Sequence, residues 1–251
     1  MSGFLAEFPA LLGDWRIYAA LACTAVAGIM RGYSGFGTAV LLAPLYSVLW
    51  GPRIGVPVVL LLELAVSIQL LPKAFAQADR RVILPIGGAA CLMTPVGAVI
   101  LLTADEDLLR RSIGAFVLVF GLLLSSGWRY QGTRPLGLNM AVGGVAGLLK
   151  GATGISGPPV ILYLLAGPEA ARQHRANLIL FFACISIISV IPPALGGLVD
   201  LAVVAKLLLV LPAMLVAVPI GTRLFHVIPE RLYKRLALGF LVATGAITLL
   251  A

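Results

Sequence analysis

Long apolar runs with almost no charged side chains limit the possible folds of this sequence more than any other feature. Charged residues make up 11% of the 251 residues, whereas a soluble domain carries roughly 25%. There are too few charged side chains to cover the surface of a water-soluble domain, so the surroundings of the chain must be lipid. The runs cover residues 17–50, 53–72, 82–104, 110–128, 137–167, 175–195, 201–222 and 232–251.

The runs are apolar on all sides and do not alternate between apolar and polar residues. Such alternation is the mark of a membrane β-barrel, whereas a helix crosses lipid because it satisfies its own backbone hydrogen bonds. About 20 apolar residues cross a bilayer, and six of the runs fit that length. The sequence therefore predicts an all-α protein that crosses a membrane several times.

The two remaining runs, 17–50 and 137–167, are longer, and glycine-rich polar segments interrupt both near the middle. These segments cover residues 31–38 and 150–159. Glycine permits backbone conformations that end a helix, and proline favours the first turn of a new one. We expect each long run to form a helix, a break and a second helix, as a re-entrant hairpin.

The chain contains an internal repeat. A shift of 119 residues places the segment 27–35 on 146–154, with similar residues at nearly every position. Further along, a shift of 124 places Pro95-Val96-Gly97 on Pro219-Ile220-Gly221. The sequence therefore predicts two repeats, residues 1–130 and 131–251, within a single membrane domain.

Basic residues predict how the repeats face the membrane. If both broken runs return to their starting side, eleven Lys and Arg residues lie on one side and four on the other; single crossings would give nine and six. Cytoplasmic loops are enriched in Lys and Arg, so the first arrangement is favoured. Each repeat then has three crossings and the two face opposite ways. Both termini are expected in the periplasm, with the loops near Arg80, Arg129, Arg172 and Arg231 in the cytoplasm.

The net charge of +8 does not indicate nucleic-acid binding, because the basic residues form no stripe and no pattern with aromatic residues. Cys23, Cys91 and Cys184 each lie singly in an apolar run, without the spacing of metal ligands. We expect no cofactor and no metal. The expected partners are a small anion, protons and membrane lipids, and a homo-oligomer is compatible with the sequence.

The two breaks are the candidate binding sites, because non-helical backbone at membrane depth must be buried in protein or line a wet cavity. The second half-helices should begin near Gly37-Thr38 and Ser156-Gly157, and their free N–H groups would attract anions. Two such tips meeting near the middle of the membrane would enclose a small oxyanion. The candidate substrate-binding residues are Tyr33, Ser34, Gly35, Phe36, Gly37, Thr38, Thr153, Gly154, Ile155, Ser156, Gly157 and Pro158.

Three charged residues within the apolar runs are candidates for charge compensation or proton coupling. Arg31 and Lys150 occupy matched positions just before the breaks, where a cation can complement the end of a half-helix or attract an anion. Glu63 is the carboxylate within an unbroken run. It is a candidate proton carrier or a partner for Arg31, although a structural role remains the alternative.

The two motifs resemble those of the TauE/SafE sulfite and organosulfonate exporter family, also called the toluene sulfonate uptake permease family. The first motif is Gly32-Tyr33-Ser34-Gly35-Phe36-Gly37 followed by Pro44-Leu45, and the second is Gly151-Ala152-Thr153-Gly154-Ile155-Ser156-Gly157-Pro158-Pro159. The resemblance covers nearly the whole chain. It implies a secondary transporter of the prokaryotic inner membrane for sulfite, sulfonates or related sulfur-containing anions, driven by the proton gradient.

Two other functions remain as alternatives. A channel for small anions would share the buried donors but would follow the electrochemical gradient of the anion alone. An intramembrane phosphatase of the polyprenyl pyrophosphate type would share the inverted repeat and the re-entrant hairpins. Hydrolysis in such a site would need clustered carboxylates or a metal, and the five Glu residues are dispersed along the chain. The sequence therefore favours a transporter over an enzyme.

Overall fold

The computed structural model describes residues 13–126, 130, 132–164, 169–225, 227, 239 and 242–249. All regular structure in this part of the chain is helical, and residues 242–249 are also in a helix. The helices are α1 (Trp15–Ser34), α2 (Thr38–Trp50), α3 (Pro52–Phe75), α4 (Arg80–Thr103), α5 (Glu106–Ser125), α6 (Leu136–Thr153), α7 (Gly157–Leu164), α8 (Ala171–Leu195) and α9 (Leu201–Leu224).

Short polar residues between the apolar runs set where several helices begin. The carboxylates of Asp14, Asp79, Asp105 and Asp200 accept hydrogen bonds from backbone N–H groups in the first turns of α1, α4, α5 and α9. An Asp in this position satisfies N–H groups that have no partner within the helix. These aspartates therefore mark helix starts that the hydropathy pattern alone places only approximately.

Five helices are long and apolar enough to cross a membrane: α3, α4, α5, α8 and α9. They match five of the six unbroken runs predicted from the sequence. The sixth, residues 232–251, lies mostly outside the described residues, as do the first 12 residues and the positions of Arg129 and Arg231. The chain is a multi-pass helical membrane protein.

Both long runs form a helix, a break and a second helix, and each folds back on itself. In the first, the hydroxyl groups of Thr24 in α1 and Tyr46 in α2 share a hydrogen bond. In the second, the hydroxyl of Tyr163 in α7 donates to Asn139 Oδ1 in α6 at 2.6 Å. Because these contacts join the early part of one helix to the late part of the next, α1–α2 and α6–α7 are antiparallel hairpins.

Glycines allow each hairpin to pack closely on a helix of the other half of the chain. A β-carbon at any of four glycines would overlap a carbonyl oxygen of the facing helix, so only glycine fits. The contacts are Gly32 on Val218, Gly151 on Thr94, Gly221 on Ile29 and Gly97 on Leu148. Consequently α1 packs along α9 and α6 packs along α4. The two contacts are equivalent in the internal repeat, because the shift of 119 residues places Gly32 on Gly151 and the shift of 124 places Gly97 on Gly221.

Helices α3 and α8 pack against each other in opposite directions between the two hairpins. Near the end of α3, Ala74 packs with Ala176 and Ile179 close to the start of α8. Just beyond α3, the backbone N–H of Asp79 donates to Asn177 Oδ1 at 2.7 Å. The start of α8 is therefore level with the end of α3, and positions along the two antiparallel helices can be compared in the description of the site below.

The glycine contacts predict a difference between two alanine variants of α4. A β-carbon at Gly97 would overlap the carbonyl of Leu148, whereas one at Gly88 meets nothing within 4 Å. Gly97→Ala should reduce stability by about 1–3 kcal/mol, the usual cost of overpacking. Gly88→Ala should be neutral or slightly stabilising. Thermal unfolding of both purified variants in one detergent checks this, and equal midpoints would contradict the packing.

Candidate functional site

Both breaks end their first helix in the same way. Gly35 and Gly154 take left-handed conformations, with φ of 81° and 76°, which glycine adopts without strain. The guanidinium Nη1 of Arg31 donates to the carbonyl of Gly35 at 2.7 Å, and the ammonium Nζ of Lys150 donates to that of Gly154 at 3.2 Å. The two cations therefore cap matched helix ends, as their positions in the sequence suggested.

The hydroxyl groups of Ser34 and Thr153 are used within the breaks. Ser34 Oγ donates to the carbonyls of Met30 and Phe36, at 2.8 and 2.9 Å. Thr153 Oγ1 donates to the carbonyl of Leu149 at 2.8 Å and accepts from the N–H of Ile155 at 3.2 Å. In this structure each hydroxyl uses its one proton within its own break, and these two predicted substrate donors hold the turns.

The hydroxyls of Thr38 and Ser156, also predicted to contact substrate, make no hydrogen bond to the described residues. Helix α2 begins at Thr38, after Gly37, and α7 begins at Gly157, after Ser156. Thr38 Oγ1 and Ser156 Oγ are fully buried, and neither has a hydrogen-bond partner among the described residues. A buried unpaired hydroxyl is costly, and both lie beside backbone N–H groups of a helix start. These are features of an anion-binding site.

The remaining predicted contact residues are buried at various places around the breaks. The ring of Tyr33 packs edge-on against Phe225 just after α9, with centroids 5.4 Å apart, and so lies towards one end of the protein. Phe36 is half-buried against the core. Ile155 is fully buried, and Pro158 lies in the first turn of α7.

Glu63 and Lys150 form an ion pair inside the protein. Glu63 Oε2 accepts a hydrogen bond from Lys150 Nζ, and both side chains are at most 2% exposed. The sequence suggested Arg31 as the partner of Glu63, and the structure gives Lys150 instead. The reason is register: Val56 and Leu60 of α3 face Gly154, so Glu63, one turn further, faces the cation before that break.

Arg31 has no carboxylate in contact within the described part of the chain. Its guanidinium carbon lies 4.5 Å from the centre of the Phe182 ring. The residue is 0% exposed, and neither Nε nor Nη2 has a hydrogen-bond partner among the described residues. A buried guanidinium with free donors is unfavourable unless an acceptor binds there.

The first turns of α2 and α7 approach each other beside this guanidinium. A β-carbon at Gly157 would lie 3.4 Å from Cζ of Phe182 and 3.6 Å from Cγ2 of Val40. Phe182 thus contacts both Arg31 of one hairpin and the start of the second half-helix of the other. This is where the structure brings the two predicted motifs together.

The breaks themselves are not side by side. Gly35 faces Arg175 and Ile179 near the start of α8, whereas Gly154 faces Val56 and Leu60 near the start of α3. Because α3 and α8 are antiparallel, these places lie near opposite ends of the pair, roughly 20 Å apart along the helix axis. The site therefore lies between the breaks, where the second half-helices begin.

Sequence reasoning missed Phe182 and Val40. A signal for Phe182 was present, because the shift of 119 places it on Glu63. The repeat thus has a carboxylate beside its second cation, Lys150, and an aromatic ring beside its first, Arg31. Nothing in the sequence alone indicated that Val40 would reach the other hairpin.

The groups that meet at this site are hydrogen-bond donors and one cation. They comprise a free guanidinium, two free hydroxyls and two helix starts, all of which favour an anion. In the described residues, no three His, Cys, Asp or Glu side chains lie close enough together to hold a metal ion.

Comparisons with known proteins agree with this chemistry. The family model described as "Sulfite exporter TauE/SafE" matches residues 20–248. A protein of Cupriavidus necator named "Probable sulfite/organosulfonate exporter TauE" is 29% identical over 193 residues, which cover 75% of this chain and 75% of that protein. None of the solved structures is significantly similar to the chain.

The family match extends from α1 to the helical residues 242–249 and so includes both hairpins and both glycine motifs. The chain belongs to the TauE/SafE sulfite exporter family of membrane transporters.

Proposed function

We propose that this protein is a secondary transporter that moves sulfite, organosulfonates or related sulfur-containing anions across the cytoplasmic membrane. The observation that carries the proposal is the buried guanidinium of Arg31, with two free nitrogens, beside the starts of α2 and α7. A small oxyanion supplies several acceptor atoms and a negative charge. It would satisfy donors that otherwise remain unpaired.

Family membership supports the class of anion. The Cupriavidus necator relative is named for sulfite and organosulfonates, which carry their negative charge on a compact group of oxygen atoms. Thr38 and Ser156 provide hydroxyl donors at the starts of the two half-helices. The apolar side chains of Val40 and Phe182 would face the organic part of a sulfonate.

We further propose that the two halves are inverted repeats in the inner membrane, with both termini in the periplasm. The basic residues support this orientation, and the matched glycine contacts of the hairpins support a two-fold relation between residues 1–130 and 131–251. Such repeats allow a site between two re-entrant tips to open alternately to either side.

Glu63 is the proposed site of proton coupling. A proton on Glu63 and an anion near Lys150 would both change the interactions of the same ammonium group. The two binding events are therefore linked, so that each changes the free energy of the other. Arg31 also interacts electrostatically with Glu63, which extends this linkage to the proposed anion site.

The central test is transport into proteoliposomes of sulfite, thiosulfate, sulfoacetate, taurine and sulfate. Saturable flux of at least one sulfur-containing anion that responds to an imposed proton gradient is expected. Flux that follows only the electrochemical gradient of the anion would indicate a channel instead. No flux of any of these anions would contradict the proposal.

The free hydroxyls predict weaker binding in Thr38→Val and Ser156→Ala. Each substitution removes one hydrogen bond to a charged ligand, worth about 1.5–3 kcal/mol, so the affinity should fall roughly 10- to 150-fold. Titration calorimetry of the purified variants measures this. Ser47→Ala is the matched control, because that buried hydroxyl already donates to the carbonyl of Ala43. Unchanged affinity in both test variants would show that the hydroxyls of Thr38 and Ser156 do not bind the anion.

Proton coupling predicts a specific loss in Glu63→Gln. The amide keeps the size of the side chain but cannot titrate, so transport driven by a pH gradient should be lost while exchange of anion down its own gradient continues. Glu106→Gln is the control, since this carboxylate is half-exposed and pairs with Arg53. If Glu63→Gln retains uphill transport with normal pH dependence, the carboxylate is structural.

The orientation predicts the labelling of single cysteines in a variant that lacks Cys23, Cys91 and Cys184. A cysteine at Ala76, between α3 and α4, should react only from the cytoplasm. A cysteine at Asp107, in the first turn of α5, should react from the periplasm in intact cells. Both positions are exposed. The reverse pattern with a membrane-impermeant maleimide would invert the proposed topology.

A further inference from the structure

The buried charges at the centre of the protein do not balance. Arg31 and Lys150 are 0% exposed and Glu63 is 1% exposed. Apart from tyrosines, the remaining buried ionisable residue in the described part of the chain is His174, which lies 3.9 Å from Glu169 in a separate cluster. The centre therefore holds two cations and one carboxylate.

Lys150 and Glu63 cancel each other. Their side chains share a hydrogen bond, and the pair has no net charge as long as Glu63 has not taken up a further proton. This cancellation removes one of the two cations from the charge that an anion would meet.

Arg31 keeps its charge. A guanidinium does not lose its proton in a protein, and a ring rather than a carboxylate lies beside it. Phe182 occupies the position that the repeat makes equivalent to Glu63. One half of the duplicated site is thus neutralised, and the other retains one full positive charge.

Arg175 is the other cation that interacts with Arg31. It is partly exposed, and its Nη2 donates to the carbonyl of Gly32 at 2.6 Å and to Thr222 Oγ1 at 3.2 Å. Its donors are therefore largely used at the end of α1. Water at its exposed side screens its charge, so it adds less to the site than Arg31 does.

We propose that the site selects anions that carry one negative charge, such as alkylsulfonates, over dianions such as sulfate, and that Glu63 sets this limit by neutralising Lys150. This deepens the proposed transport function and rests on it. A monoanion at Arg31 makes the buried centre neutral. A dianion leaves one uncompensated negative charge in a low-dielectric interior, which is strongly unfavourable.

Methanesulfonate and sulfate provide the test, because both are small tetrahedral sulfur oxyanions and neither changes its charge near neutral pH. Titration calorimetry of the purified full chain at constant ionic strength gives both affinities. The wild type should bind methanesulfonate at least tenfold more tightly than sulfate. Glu63→Gln, which leaves Lys150 unpaired, should reduce that ratio at least tenfold.

The double variant Glu63→Gln/Lys150→Gln is the matched control. It removes both members of the pair and restores a net charge of one, while the glutamine at position 150 can still donate to the carbonyl of Gly154. Its affinity ratio should return to the wild-type value. A ratio equal to that of Glu63→Gln would overturn the charge argument, because the loss of the carboxylate itself would then be responsible.

A second pair of variants tests the same proposal from the other half. Phe182→Glu should place a carboxylate beside Arg31 and abolish the binding of both anions, whereas Phe182→Gln, which has the same size without the charge, should still bind methanesulfonate more tightly than sulfate. These variants decide the question if Glu63→Gln fails to fold, as judged by its elution profile and thermal midpoint.

The outcomes separate this inference from the function on which it rests. If the wild type binds both anions equally, or if Phe182→Glu still binds methanesulfonate like the wild type, the charge limit is wrong while anion transport stands. If the wild type binds neither of these anions nor any of the transport panel, the proposed function fails and the charge limit fails with it.

Discussion

A helix that ends inside a membrane leaves backbone carbonyl groups that water cannot reach, and this constraint organises the centre of the protein. Arg31 and Lys150 donate to the carbonyls of Gly35 and Gly154, and so bring two positive charges into a region where charge is costly. Each cation then needs an acceptor. Glu63 meets that need for Lys150, whereas two nitrogens of Arg31 have no acceptor among the described residues.

The duplication explains why the two halves share geometry but differ in charge. Glycine contacts between α1 and α9, and between α4 and α6, are equivalent in the repeat, so the backbone of the two hairpins is held in the same way. Side chains facing that backbone are free to differ. The substitution of an aromatic ring for a carboxylate at one pair of positions, Phe182 and Glu63, is enough to turn two capped helix ends into one neutral and one cationic element.

Much of this arrangement could be predicted from the sequence. The helix, break and helix pattern, the new helix starts near Thr38 and Gly157, and the cations before each break follow from local chemistry, and all are present. Contacts between distant segments could not be predicted. The pairing of Glu63 with Lys150 depends on the register of α3 against the second hairpin. The depth of each break depends on the length of the helix before it. Helices α6 and α1 have 18 and 20 residues, which correspond to about 27–30 Å at 1.5 Å per residue. The hydropathy pattern of a sequence defines neither the register between two helices nor the end of a helix to within one turn.

The two cations differ in type, with Arg31 in one half and Lys150 in the other, and this difference suits a retained charge at Arg31 and a neutral ion pair at Lys150. An ammonium has three donors and acts as a compact point charge. In Lys150 it serves one carbonyl and one carboxylate, which suits a structural pair. A guanidinium has five N–H groups in a planar fork. One nitrogen of Arg31 caps Gly35, while Nε and Nη2, both still free, remain on the planar group that stacks on Phe182. Arginine can therefore hold the helix end through one nitrogen and still present two further nitrogens in one plane, an arrangement that the ammonium group of a lysine lacks.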